Sequence, residues 1–475
     1  MAGNQASRRT FLGGAATAGL VTGLAGCTFG QVTGAGGTTV VQLAAASGSY
    51  QAQSDINQAL HEAGMPRDVR VSISVVGSSQ AQSQYTRWLS AGLEKPDLLR
   101  MDSGWTIPFI LREQIANLSE SMPDVAQRIK DEYFQASVDT VTAPNGDVHG
   151  VPLFSDFGLV LYRKDLVEEA GFDPSGWATS PLSWKRFAEV AKQTKDRTDA
   201  KHGFTFQAMV YEGLSCCDFN EFMTTWGGSY FGARKNLLEN VGERPVTVDA
   251  DPVVKANRML RTFIQGPDDS GALEEFAGPI SPSAVLTWSE DPSLSAFTNG
   301  DAVMHRNWPY SLSVAGAEDA FGTNLGVMPI PYGVRPGEAQ FAGMGGTKSA
   351  LGGWHVTMNP NTKRKDAARE VLRAMTRDSF NVALMNILGY VPPKPDLLTS
   401  KQARSVDVLG RYVDQLELAG QNAVPRPATV VWPLQSPRIA QQVSAALSGD
   451  KSPNGAMNDL RRILEDIEHS AREGR

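Results

Sequence analysis

Side chains able to do chemistry are thinly spread in this sequence. Its six histidines stand at 61, 149, 202, 305, 355 and 469, and no two have the spacing of a His-Glu-x-x-His metal site. Gly-x-Ser-x-Gly, the turn that presents the nucleophile of many serine hydrolases, does not occur. Gly345-Gly346-Thr347-Lys348-Ser349 lacks the spacing of a phosphate loop and reads as a glycine-rich turn. The acids Glu168-Glu169 and Glu274-Glu275 point apart on a helix and read as solvated faces. Glycoside hydrolysis needs two carboxylates at a defined separation, and Asp102 with Glu212 or Asp156 stays open on sequence alone. No metal and no cofactor are expected.

Cysteine is as sparse. Of the three, Cys216 and Cys217 are adjacent and Cys27 lies near the N-terminus, so no disulfide framework is implied. The adjacent pair reads as two small buried thiols, with a vicinal disulfide as the alternative. Cys27 closes a different pattern: Arg8-Arg9, an uncharged Gly/Ala-rich run, then Leu24-Ala25-Gly26-Cys27. Two adjacent arginines ahead of an apolar stretch mark twin-arginine export, and Leu-Ala-Gly-Cys resembles a lipobox. The run from Thr10 to Gly26 is shorter than the roughly 20 apolar residues of a membrane span, and glycine dilutes it. Residues 1–26 are therefore expected to be a removable signal, Cys27 the lipidated N-terminus, and 27–38 a flexible tether. The expected location is the outer face of the cytoplasmic membrane, and the fold should form without oxidants.

The elements that would position any site begin at Thr39. A short apolar strand runs from Thr39 to Ala44, and a helix over Ser54–Ala63 carries Ile56, Ala59, Leu60 and Ala63 on one face. Gly64 and Pro66 stop it. Val69, Val71, Ile73 and Val75 alternate with polar residues, as in a half-buried strand. A second helix passes through Tyr85, Trp88, Leu89 and Leu93, and Pro96–Met101 reads as the next strand. Strand, helix, strand, helix, strand implies a parallel sheet with right-handed crossovers. Ligands bind beyond the carboxyl ends of such strands, where Asp102 and Trp105 fall. The formal charge is −7, or −9 without Arg8 and Arg9, and no basic patch suggests nucleic acid.

From Gly150 onward a series of motifs appears in order. Gly150-Val151-Pro152 leads to a strand ending Tyr162-Arg163-Lys164-Asp165-Leu166. Ser180-Pro181-Leu182-Ser183-Trp184-Lys185-Arg186-Phe187 reads as a helix start with Ser183 as its N-cap. Trp226-Gly227-Gly228, Phe297-Thr298-Asn299-Gly300-Asp301-Ala302, Asn307-Trp308-Pro309 and Gly326-Val327-Met328-Pro329-Ile330-Pro331 follow. Together they resemble family 1 extracellular solute-binding proteins of ABC importers, the maltose- and trehalose-binding kind. The chain departs from that pattern at Asp301, where a lysine is usual, and at Arg163-Lys164.

The resemblance implies an α/β architecture of two lobes with a hinge and an interlobe ligand cleft. Lobe 1 would take 39–150 plus 326–380, and lobe 2 would take 151–325 plus 381–475. It implies a monomeric binding subunit, not an enzyme, that hands a sugar to membrane permease subunits. A sugar offers apolar C–H faces and a rim of hydroxyls, so its cleft wants aromatic plates and hydrogen-bonding polar groups. By match to the family the aromatic candidates are Tyr50, Trp105, Trp308 and Trp432, and the polar ones Asp102, Asp156, Glu212, Asn307 and Arg426. For each of Trp308, Trp432 and Arg426 a structural role stays open: core for the tryptophans, a surface arginine between prolines for Arg426. Trp88, Trp177 and Trp184 read as packing. A second class of ligand, a glycerol phosphate, glycerophosphodiester or polyol, would use the same fold, and a secreted carbohydrate-processing enzyme is the third reading.

Overall fold

Alternating side chains build the first sheet as the sequence implies. In β1 (Thr39–Ala45) and β2 (Val69–Val75), Val41 faces Val71 and Leu43 faces Ile73 in parallel register, and all four are buried. Helix Gln53–Glu62 crosses between them, and Gly64 follows it at φ +100°, a left-handed turn that glycine adopts without strain. Strand β3 (Leu98–Asp102) pairs parallel with β1 on its other side. The computed structural model describes residues 37–45, 50–76, 78–238 and 240–473, and Arg8, Arg9 and Cys27 lie outside them. Thr39–Arg475 forms one compact unit.

Two further strands complete this sheet in the order β2-β1-β3-β10-β4. Of β4 (Gly150–Phe154) and β10 (Trp354–Met358), only β10 runs against the parallel trio: it is antiparallel to β3 and to β4, so β4 shares the direction of the first three strands. A second sheet has the order β6-β7-β5-β8, from β5 (Leu159–Arg163), β6 (His202–Thr205), β7 (Ala302–Asn307) and β8 (Leu325–Met328). β9 (Ser349–Ala350) and β11 (Ala423–Val424) form a small parallel pair separate from both sheets.

These pairings fix where the chain passes from one sheet to the other. Gly150–Phe154 stays in the first sheet because Val151 and Phe154 face Val356 and Trp354, so the chain crosses to the second sheet at 155–158 and not after Gly150. The return is later than Gly326. Residues 325–328 are held in the second sheet, where Val160 faces Met328 and Tyr162 faces Gly326. The chain rejoins the first sheet at β10.

Helices cover both sheets. Lys365–Met375 and Asp378–Leu388 bury Ala368, Val371, Leu372 and Leu384 against the first sheet's core. The second sheet carries one core under Trp184–Arg197, Asp251–Gln265, Trp432–Ser448 and Pro453–Glu473, and another under the segment Pro395–Gln421. Ser183 caps Trp184–Arg197 by accepting the Arg186 N–H at 3.2 Å, as its position implied. Trp177 and Trp184 are buried, and Trp88 stacks on Tyr85. The described residues contain no helix long and apolar enough to cross a membrane.

Candidate functional site

Strand β3 ends at Asp102, opposite Trp354 at the start of β10. The Asp102 carboxylate accepts the Gly104 N–H at 2.8 Å and pairs with the Arg426 guanidinium at 2.9 Å. A Cβ on Gly104 would stand 2.8 Å from Arg426 Cδ, so the glycine is what lets the arginine lie down on this turn. Arg426 is only 6% exposed, which settles it as an inward group. Trp105 follows the turn, 8% exposed and edge-on to Trp354 with ring centroids 5.6 Å apart.

Strand β7 ends at Asn307 and presents Trp308 from the second sheet. Behind Trp308 lies a fully buried ion cluster. Arg306 stacks on the indole at 4.3 Å, donates to Glu221 at 2.9 and 3.1 Å, and has Asp218 within 3.6 Å. Burial opposes the Arg306 charge, but Asp218 and Glu221 outweigh it and raise its pKa. Asn307 is buried, and its side-chain oxygen accepts the Trp308 N–H at 2.8 Å, so it holds the tryptophan and does not face the cavity. The chain between the sheets brings Asp156. Gly352 packs on it: a Cβ there would meet Asp156 Cβ at 3.0 Å and Trp308 Cζ3 at 3.1 Å.

These groups enclose a cavity of about 340 Å³, lined by Asp102, Trp105, Asp156, Glu212, Trp308 and Arg426 from among the expected residues. Tyr211, Gly213, Glu290, Tyr310, Trp354, Gly352, Gly353, Cys216 and Cys217 complete the wall. The two cysteines are joined in a vicinal disulfide, in place of the two thiols that were the first reading. Hollows of about 990 and 700 Å³ elsewhere, by residues 360–369 and 234–241, have no aromatic wall, and one of about 350 Å³ has Tyr162 and Tyr412 in its wall but no tryptophan.

Three expectations resolve differently. Trp432 is 3% exposed and packs near Tyr230, reaching the site only through its indole N–H, which donates to Glu212 at 3.3 Å. Tyr50 is 54% exposed and does not line the cavity. Asn307 serves Trp308 as described. Sequence reasoning passed over Tyr211 and Tyr310, although each lies within two residues of a chosen one, and Trp354, which closes the glycine run. Nothing local marked Glu290.

Electrostatics set the site apart. Burial, then the negative charge of Asp102, push the Asp156 carboxyl up to about 7, while Arg426 and Arg100 pull against them. Glu212 keeps solvent exposure as a residue, yet the protein mass around its carboxyl and Asp102 hold it above the usual carboxylate range. Glu290 accepts the Tyr211 hydroxyl at 2.9 Å. Tyr211, enclosed by the same wall, is held protonated by burial and by Asp218 and Glu290.

Two α/β layers joined by several crossings, with a walled cavity at their strand ends, define a two-lobed periplasmic-binding-protein fold. The model for bacterial extracellular solute-binding proteins matches residues 53–380, and the chain belongs to that family. Its members bind small-molecule ligands and work with ABC permeases. A probable ABC transporter-binding protein of Deinococcus radiodurans is 26% identical over 393 residues, covering 81% of this chain and 82% of that one. Among solved structures, maltose-bound MalE3 of T. maritima superposes with a TM-score of 0.72 at 24% identity, over 90% of this chain and 99% of that one. A ribitol-bound solute-binding protein of Agrobacterium radiobacter gives 0.67 at 14% identity, over 90% and 98%.

Proposed function

We propose that this protein is the extracellular binding subunit of an ABC sugar importer, capturing a di- or oligosaccharide by lobe closure and delivering it to the membrane permease. One observation carries the reading: Trp105 and Trp308 meet Asp102, Asp156, Glu212 and Arg426 in one cavity at the strand ends. The indoles supply plates for C–H faces, and the carboxylates accept from hydroxyls. A volume of about 340 Å³ falls in the range of small-molecule sites, roughly 300–1,000 Å³. Neighbours of the same fold hold maltose and ribitol.

The ribitol-bound neighbour keeps a polyol as the second reading. A phosphate-bearing ligand is disfavoured, because the single cation of the cavity wall, Arg426, already pairs with Asp102. An enzyme of carbohydrates would need an acid and a base around a bond held for attack, and the family is one of binding proteins. Thermal-shift measurements with neutral sugars, polyols and glycerophosphodiesters test the proposal. Stabilisation by a di- or oligosaccharide, with the sugar recovered intact, supports it. Stabilisation by phosphodiesters alone, or turnover of the sugar, overturns it. Arg8-Arg9 and Leu24-Ala25-Gly26-Cys27 further support twin-arginine export and a lipid anchor at Cys27 on the outer face of the cytoplasmic membrane.

A further inference from the structure

The charges around this cavity do not balance. Four carboxylates line it, those of Asp102, Asp156, Glu212 and Glu290, against the one guanidinium of Arg426. That guanidinium is spent on Asp102 at 2.9 Å. Glu212 receives only the Trp432 indole N–H, at 3.3 Å, and Glu290 the Tyr211 hydroxyl, at 2.9 Å. Among the described residues no side chain or backbone group donates to the Asp156 carboxylate, although Gly352 packs against its Cβ. Of the other strong cations nearby, Arg306 is turned away behind Trp308 and held by Glu221 and Asp218, and Arg100 lies over the Trp354 ring at 4.5 Å, outside the wall, where it offsets the Asp156 charge only in part.

Neutral hydroxyls would donate to these carboxylates but leave their charge uncompensated in a space walled by five indole and phenol rings. Enclosed charge of one sign costs free energy until an opposite charge arrives. Apolar plates and excess carboxylate together describe a ligand with C–H faces and a cationic substituent. Resting on the reading above as a sugar receptor, we infer that the ligand is an amine-bearing saccharide whose ammonium sits among Asp156, Glu212 and Glu290. The aromatic wall fits such a group, since an ammonium near an indole or phenol face gains a further attraction. Trp308 lines the cavity while Arg306 lies over its ring at 4.3 Å.

Calorimetric titration of the full-length protein at pH 7 with matched pairs decides the matter: glucosamine against glucose and N-acetylglucosamine, and the β-1,4 glucosamine dimer against cellobiose. At least one amine member is expected to bind about tenfold or more tighter than its neutral partners, the scale of a single compensated charge pair. In the double variant Asp156→Asn, Glu212→Gln that ratio should collapse toward one. The ratio is the readout, because a variant that merely loosens the cavity lowers both affinities and preserves it. Glucose or cellobiose binding as tightly as its amine partner, or a preference that survives the double variant, overturns the inference and leaves the sugar reading standing. If a simple diamine such as putrescine binds and no saccharide does, the inference and the sugar reading fall together.

Discussion

A tryptophan that stacks on a sugar and one that fills a core look alike in sequence, and here the structure divides the two candidates. Trp308 presents a face to the cavity, whereas Trp432 is 3% exposed and packs among Tyr230 and the helix core. Trp308→Ala should weaken ligand binding by roughly 2–4 kcal/mol, as a buried aromatic anchor does. Trp432→Ala should instead cost about 3–5 kcal/mol of folding stability. Titration and urea unfolding of both variants check this, and equal losses of affinity in the two would refute the division. Asp156 makes a second residue-scale prediction. Its folded pKa is raised to about 7 by burial and Asp102, against an ordinary 3.8, so the folded state binds the extra proton and stability falls as pH climbs between those values. The facing groups are Asp102, Arg426 and Arg100. Asp156→Asn should therefore raise the melting temperature of the ligand-free protein, by an amount that grows from pH 4 to pH 7 and then levels. A pH-independent gain would mean the carboxyl titrates normally. The residue stabilises the site's chemistry at the expense of the fold, a common arrangement where function is at stake.

Elements hold these residues by a few backbone devices. Gly353 stands at φ +107°, and a Cβ on it would lie 2.5 Å from the Phe154 carbonyl oxygen. Its own carbonyl accepts the Ser103 N–H at 3.1 Å, and the Gly352 N–H donates to the Asp156 carbonyl at 2.8 Å. The glycine pair thus stitches the end of β3, the β4–β5 crossing and the start of β10 into one wall. Gly353→Ala should cost roughly 1–3 kcal/mol or more, from left-handed strain and the clash together. Gly337, with open space around its Cβ position, is the control. Urea midpoints compare the two, and a Gly353→Ala protein as stable as Gly337→Ala would remove the wall's supposed dependence on this turn.

At the scale of the molecule, the Asp102–Arg426 pair is the feature to follow. It ties the end of a first-sheet strand to the loop that follows β11, and it forms part of the wall that a ligand would touch. A ligand held at about micromolar affinity has roughly 8 kcal/mol of net binding free energy. Only the part that differs between open and closed forms can shift their populations. The ligand-free protein should be mostly open in solution, and saturation with the tightest sugar of the panel should lower its radius of gyration. Small-angle scattering reads this, and an unchanged radius would sink closure as the mechanism. The anchor is tested separately. Cys27→Ser should move the protein from the membrane fraction to the soluble one, and mass spectrometry that finds another N-terminus without an acyl group would refute it.

Read by itself, the sequence determined what neighbours along the chain decide. Alternation at Val69, Val71 and Ile73 meant a half-buried strand, Ser183 meant a helix start, and the ordered motifs meant a solute-binding family; each depends on side chains a few residues apart. Asp102 and Trp105 were legible too, because a strand end in a parallel sheet is a place with known consequences. The sheet that each later strand joins was not. A strand's own residues do not say which sheet it joins, and only the pairing of Val160 with Met328 assigned β8 to the second. The rest of the site was equally remote from local signals. Whether an indole packs or stacks, and whether a carboxylate is paired, depends on what lies opposite it in space. Tertiary structure alone turned Trp432 inward, drew Glu290 to the wall, buried Arg426 on Asp102 and, among the described residues, left the Asp156 carboxylate without a donor.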